Sequence, residues 1–130
     1  MSAQDRGPRK TTVLVVDDED TVRLLARRML EEAGHLVYEA PNGFQALSVL
    51  VQRWPVDVVV ADIRMPIMDG REFAQHLGRQ WPDLPILFIS GYAVQAGDEP
   101  VPGRVLPKPF GFEELTTEVE RLLLRRQQSA

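Results

Sequence analysis

A chain of 130 residues with no cysteine and a net charge of −4 is sized for one domain, and it excludes disulfide scaffolds and thiolate metal sites. Its basic residues are scattered over the expected helices, so the electrostatic footprint of a nucleic-acid binder is missing and any DNA contact would come through a partner. No apolar run reaches membrane-spanning length, and Met1 to Lys10 is polar with no apolar segment behind Arg6, Arg9 and Lys10, which leads us to expect a cytoplasmic chain with no membrane contact.

Residues 1–11 contain Gly7 and Pro8 and no apolar periodicity, which predicts a disordered lead-in. Val13-Leu14-Val15-Val16 is an apolar run closed by four acids, Asp17 to Asp20, and reads as a buried strand followed by an acidic loop. Val22, Leu25, Ala26, Met29, Leu30 and Ala33 then recur at helical spacing. Acidic residues lead that helix at the positive end of its dipole, and Gly34 stops it. Leu36 to Ala40 is the second strand. After the Pro41-Asn42-Gly43 loop, a helix with Ala46, Leu47, Val49 and Leu50 on one face runs to Trp54-Pro55.

The third strand, within Val56 to Asp62, carries the β-branched run Val58-Val59-Val60, which suits a strand buried on both faces in mid-sheet. A loop with Pro66 and Asp69-Gly70 leads to a helix with Phe73, Ala74 and Leu77 inward and Pro82 beyond its end. Pro85 to Ile89 is a fourth buried strand, stopping at Ser90-Gly91. From Ala93 to Arg104 prolines, glycines and acids leave no room for a stable helix, and Val94 to Gly103 is expected to be a loop. Val105-Leu106 is a short fifth strand before Pro107-Lys108-Pro109-Phe110. The last helix is expected to bury Phe112, Leu115, Val119, Leu122 and Leu123 before fraying at Gln127. One domain over residues 12–126 follows, with a frayed tail at 127–130.

Strands alternating with helices imply an α/β fold with a parallel sheet covered on both faces. The expected topology is flavodoxin-like and doubly wound, five strands in the order 2-1-3-4-5, with the helix before the fifth strand short or missing. On that order strands one and three are neighbours at the switch point, so Asp17, Asp18 and Asp62 converge at one sheet edge. Ser90 joins them from strand four and Lys108 from strand five. Three close carboxylates repel unless a cation sits among them, and Mg²⁺, which uses one or two carboxylates and keeps several waters, suits this set better than Ca²⁺ or Zn²⁺. Asp17 and Asp18 would bind the metal, while Asp62 keeps an oxygen free as nucleophile. Lys108 offers a compact positive charge to a phosphoryl oxygen and Ser90 a hydroxyl.

At this point the chain resembles the receiver domain of two-component response regulators. The likeness covers residues 12 to about 126 and rests on V-L-V-V-D-D-E-D, A-P-N-G-x-x-A-L, D-I-R-M-P-I-M-D-G, S-G and K-P-F in that order. It implies that Asp62 accepts a phosphoryl group from a histidine kinase or histidine phosphotransfer protein. Asp17 and Asp18 would hold Mg²⁺ with Asp62 and the main-chain carbonyl of Arg64, Ser90 would be the switch hydroxyl, and Lys108 would contact the phosphoryl group. It also makes Lys108-Pro109 a candidate cis bond. A haloacid-dehalogenase phosphatase would want a second aspartate where Arg64 stands, and a flavodoxin a phosphate loop where the four acids stand. The alternative that keeps the fold is a pseudo-receiver that binds a protein without being phosphorylated.

Two departures from the family pattern bear on output to a downstream protein target. Val105 occupies the position of the usual aromatic switch residue, and the span from Ser90 to Lys108 is shorter than usual. In the family, the residues two beyond the acceptor aspartate and two beyond the switch hydroxyl flank the path of attacking water. Here they are Arg64 and Tyr92, which are expected to modulate the phosphorylated lifetime by screening, with Tyr92 also carrying the Ser90 motion into the loop. The resemblance is compatible with a stand-alone receiver or with part of a hybrid kinase.

Overall fold

The structure is a computed structural model that describes residues 10–91 and 101–129. Five parallel strands, β1 (Thr12–Val16), β2 (Leu36–Ala40), β3 (Val58–Asp62), β4 (Ile86–Ser90) and β5 (Val105–Pro107), line up as β2-β1-β3-β4-β5. The helices among the described residues are α1 (Asp20–Glu32), α2 (Gly43–Arg53), α3 (Gly70–Gln80) and α4 (Phe112–Ser129). The expected flavodoxin-like strand order is therefore the one observed. The described part of the crossover from β4 to β5 contains no helix, and the rest of it, including most of the expected Val94 to Gly103 loop, lies outside the described residues.

The alternation of side chains along each strand sorts the core into two layers. Val13, Val15, Val58, Val60, Leu87 and Ile89 face α1 and α4, where Ala26, Leu30, Leu115 and Val119 meet them. Leu14, Val16, Val59 and Ala61 face α2 and α3, against Ala46, Leu50, Phe73 and Leu77. Both sets are apolar because helices cover both faces, so β1 and β3 are buried along their whole length. Local chemistry fixes where the helices start. Asn42 accepts from the Gln45 N–H at 2.8 Å and Asp69 from the Glu72 N–H at 3.0 Å, each supplying a partner to a first-turn donor.

Two expected core positions are corrected. Leu25 is 48% exposed and Phe112 39% exposed. The flank of α1 near Arg23 and Arg27 is instead tied to the sheet by charge, since both guanidiniums reach the Glu39 carboxylate on β2. The stripe of α1 that meets the core is correspondingly narrow, with Ala26 and Leu30 buried on it. Phe112 is the first residue of its helix, beyond the buried stripe that Leu115 begins. Helical backbone in α4 continues to Ser129, past the expected fraying point.

Candidate functional site

The carboxyl edge of the sheet is built by register. Asp62 is the last residue of β3 and pairs with Ile89 of β4, one residue before Ser90, which pairs with Pro107 beside Lys108. Asp17 follows directly on β1, and its N–H donates to the Ala40 carbonyl at the end of β2. The strand order thus collects Asp17, Asp18, Asp62, Ser90 and Lys108 at one edge, as the sequence implied. The Lys108-Pro109 bond is cis, as is Trp54-Pro55.

Carboxylate oxygens of Asp17, Asp18 and Asp62 all lie within 4.8 Å of one another. Asp17 and Asp62 are buried and Asp18 is exposed, so the cluster opens to solvent on the Asp18 side. Lys108 Nζ stands 3.0 Å from Asp17 Oδ2, 3.0 Å from Glu19 Oε1 and 3.3 Å from Asp62 Oδ2. The Asp17 contact is an ion pair without hydrogen-bond geometry, which leaves Asp17 Oδ2 buried with no directed donor among the described residues. Asp17 Oδ1 accepts the Glu19 N–H at 2.9 Å, and Asp62 Oδ1 receives a long 3.4 Å bond from the Arg64 N–H.

These distances set the electrostatics. Burial, and then the charge of Asp17, push the Asp62 carboxyl up to about 6, against the opposing pull of Lys108 and the Arg64 N–H. Burial alone would lower the Lys108 ammonium, but the close carboxylates of Asp17, Glu19 and Asp62 outweigh it and hold the group above its ordinary range. One ammonium is set against a crowd of carboxylates. An all-oxygen donor set, crowded enough to raise a carboxyl and leaving one buried oxygen without a donor, fits a hard divalent cation such as Mg²⁺.

Three contributions to the site lack a role in the sequence reading. Glu19 reaches Lys108, a partner 89 positions away. The only hint of it is the length of the acidic run after β1. Arg23 Nη1 donates to the Asp17 carbonyl at 2.7 Å while its Nε reaches Glu39, clamping the acidic loop to β2. Gly70 donates to the Ile63 carbonyl at 2.7 Å, and a Cβ there would stand 2.5 Å from the Asp62 carbonyl oxygen, so the close approach of α3 to β3 requires glycine. Of the expected modulating residues, Arg64 is exposed beside the cluster. Val105 is half-buried against Ile63, Ala74 and Phe88, and Tyr92 lies outside the described residues. Among the described residues, a cleft of about 660 Å³ lies at the other end of β4, lined by Pro85, Ile86 and Leu122. The acidic cluster therefore lies on an open sheet edge, away from that cleft.

Residues 13–120 match the family described as the response regulator receiver domain. The chain is 37% identical over 116 residues to the response regulator receiver protein CpdR of Brucella abortus, covering 86% of this chain and 96% of that protein. It is 40% identical over 117 residues to the sensor kinase CckA of the same organism, covering 86% of this chain but only 12% of the kinase. Among solved structures, a response regulator receiver protein from Sinorhizobium medicae shares the fold with a TM-score of 0.80 at 34% identity, over 91% of this chain and 98% of that one. The chemotaxis protein CheY4 of Vibrio cholerae does so with a TM-score of 0.78 at 30% identity, over 88% and 100%.

Proposed function

Because the chain belongs to the response regulator receiver domain family, we propose that it is the phospho-accepting switch of a two-component phosphorelay, charged on Asp62 by a histidine kinase or histidine phosphotransfer protein. The observation that carries this reading is the setting of Asp62, a buried carboxylate at the end of β3 held between Asp17 and Lys108. An oxygen of Asp62 attacks phosphorus and forms the new O–P bond as the P–N bond of the phosphohistidine breaks, its electron pair leaving with the imidazole. Lys108, already 3.3 Å from Asp62 Oδ2, is placed to meet the charge of the arriving phosphoryl oxygens. Ser90, at the end of the neighbouring strand, offers them a hydroxyl.

Asp17, Asp18 and Asp62, with the Arg64 main-chain carbonyl, would hold Mg²⁺. When bound, that ion supplies positive charge against which the carboxylates and a phosphoryl group sit without repulsion. Arg64 and Tyr92 screen the phosphoryl group from in-line water and so lengthen its lifetime. With Val105 unable to act as an aromatic switch, Tyr92 transmits the Ser90 movement toward a downstream protein target. The setting is the cytoplasm.

The test is covalent. Incubation with a small phosphodonor and Mg²⁺, reductive trapping and peptide mapping are expected to find the modification on Asp62 alone, and Asp62→Asn should stay unlabelled. Labelling of that variant to the wild-type extent refutes the assignment. A wild-type chain that takes up no label favours an unphosphorylated binding module.

A further inference from the structure

Glu19 is the N-cap of α1 in extended conformation, yet its side chain caps no helical N–H. Its carboxylate instead crosses to Lys108 beyond β5, with Oε1 3.0 Å from Nζ. An ammonium carries three N–H groups, and Asp17, Glu19 and Asp62 present carboxylates at 3.0, 3.0 and 3.3 Å. Lys108 donates to Glu19 and Asp62 and pairs with Asp17 by charge alone, so an arriving phosphoryl oxygen competes with these carboxylates for the ammonium. Asp17 and Asp62 are buried and would face Mg²⁺ as well as Lys108. The Glu19 side chain is 58% exposed, and water can take over its hydrogen bonds. The same exposure sets a negative charge on the solvent-facing rim of the cluster, in contact with the lysine that draws anions to it.

We propose that Glu19 is a specificity-determining residue of this site, holding Lys108 at rest and repelling free, multiply charged phosphodonors, so that donors are discriminated by their charge. The inference rests on the reading of Asp62 as phospho-acceptor. With acetyl phosphate, a dianion near neutral pH, the Asp62 oxygen forms the O–P bond while the P–O bond to the acetyl group breaks and acetate leaves. With phosphoramidate, a net monoanion whose nitrogen is already protonated, the P–N bond breaks and ammonia leaves. Both reactions make the same product on the same residue, so only the charge and leaving group of the donor differ.

The experiment measures labelling rates of the wild-type chain and Glu19→Gln with each donor, at saturating Mg²⁺ and at low and high salt. At low ionic strength, removing one charge from the rim should accelerate acetyl phosphate about three- to tenfold and phosphoramidate by only about the square root of that factor. The difference between donors should collapse at high salt, as expected of a charge facing solvent. Glu19→Lys should extend the preference for acetyl phosphate in the same direction. Equal acceleration of both donors would mean that freeing Lys108, not donor charge, is what Glu19 controls, and it overturns the proposal. Unchanged rates with both donors overturn it as well. A wild-type chain labelled by neither donor removes the phospho-acceptor reading and this inference with it.

Discussion

Replacing Asp62 by asparagine is expected to make the metal-free chain more stable, although it removes the residue on which the proposed function depends. The Asp62 carboxyl stands at about 6 in the folded chain against an ordinary 3.8, chiefly because it is buried and then because Asp17 is close. A carboxyl raised on folding makes the folded state the better proton binder between about pH 4 and 6, so stability falls as pH rises through that window and the full penalty stands above it. Two pKa units correspond to roughly 3 kcal/mol, a figure that already includes the favourable contact with Lys108. Asparagine keeps the size and one acceptor oxygen and never carries the charge. The assay is thermal melting in chelator at pH 8 and at pH 4.5. At pH 8 the variant should melt about 5–10 °C above wild type, and at pH 4.5, where wild-type Asp62 is largely protonated, most of that gain should vanish. Added Mg²⁺ should narrow the gap at pH 8 by stabilising wild type more than the variant. A variant no more stable than wild type at pH 8, or an advantage unchanged at pH 4.5, refutes the claim that Asp62 is held against its own charge.

Gly70→Ala would drive a methyl group to within 2.5 Å of the Asp62 carbonyl oxygen and 2.9 Å of the Ile63 Cα. Because both obstacles are backbone, a loss of about 3 kcal/mol or more is expected in chemical denaturation, whereas Gly78→Ala, with nothing within 4 Å, should gain up to about 1 kcal/mol in the same helix. Equal effects at the two positions would disprove the close-approach argument. If Arg64 and Tyr92 screen the phosphoryl group, Arg64→Ala or Tyr92→Ala should lose phosphate several-fold faster than wild type. Wild-type hydrolysis rates in both variants discard the screening role.

The candidate edge was legible because each of its residues stands where a strand stops, and the alternation of strands and helices left one economical strand order. Asp17, Asp62, Ser90 and Lys108 needed no knowledge of side-chain conformation, since register alone brings them together. What sequence could not supply were contacts made across that register. Glu19 reads as one more acid at a helix start, and only the folded chain shows it reaching Lys108. Gly70 reads as a turn residue after Asp69, though its requirement comes from the backbone of β3. Leu25 fitted the helical spacing of α1, but spacing does not reveal that Arg23 and Arg27 bind the neighbouring flank to Glu39 with charge.

Those charged contacts explain how a repulsive cluster is kept in place. Asp17, Asp18, Glu19 and Asp62 crowd together with one ammonium, which touches Asp17, Glu19 and Asp62, so Lys108 alone does not neutralise the four. The backbone that carries the first three is restrained independently of that balance. Arg23 holds the Asp17 carbonyl, β2 takes the Asp17 N–H, and the valine-rich strands beneath are buried on both faces. Repulsion among the side chains is therefore relieved by a proton, a cation or a change of partner at Lys108 rather than by movement of the strands. The first relief is what the pH dependence of Asp62→Asn reads, whereas donor selectivity in Glu19→Gln reads the charge that Glu19 sets on the exposed rim. If the two variants responded alike to pH and salt, the buried and exposed members of the cluster would share one environment, and the division of roles between Asp62 and Glu19 would fail.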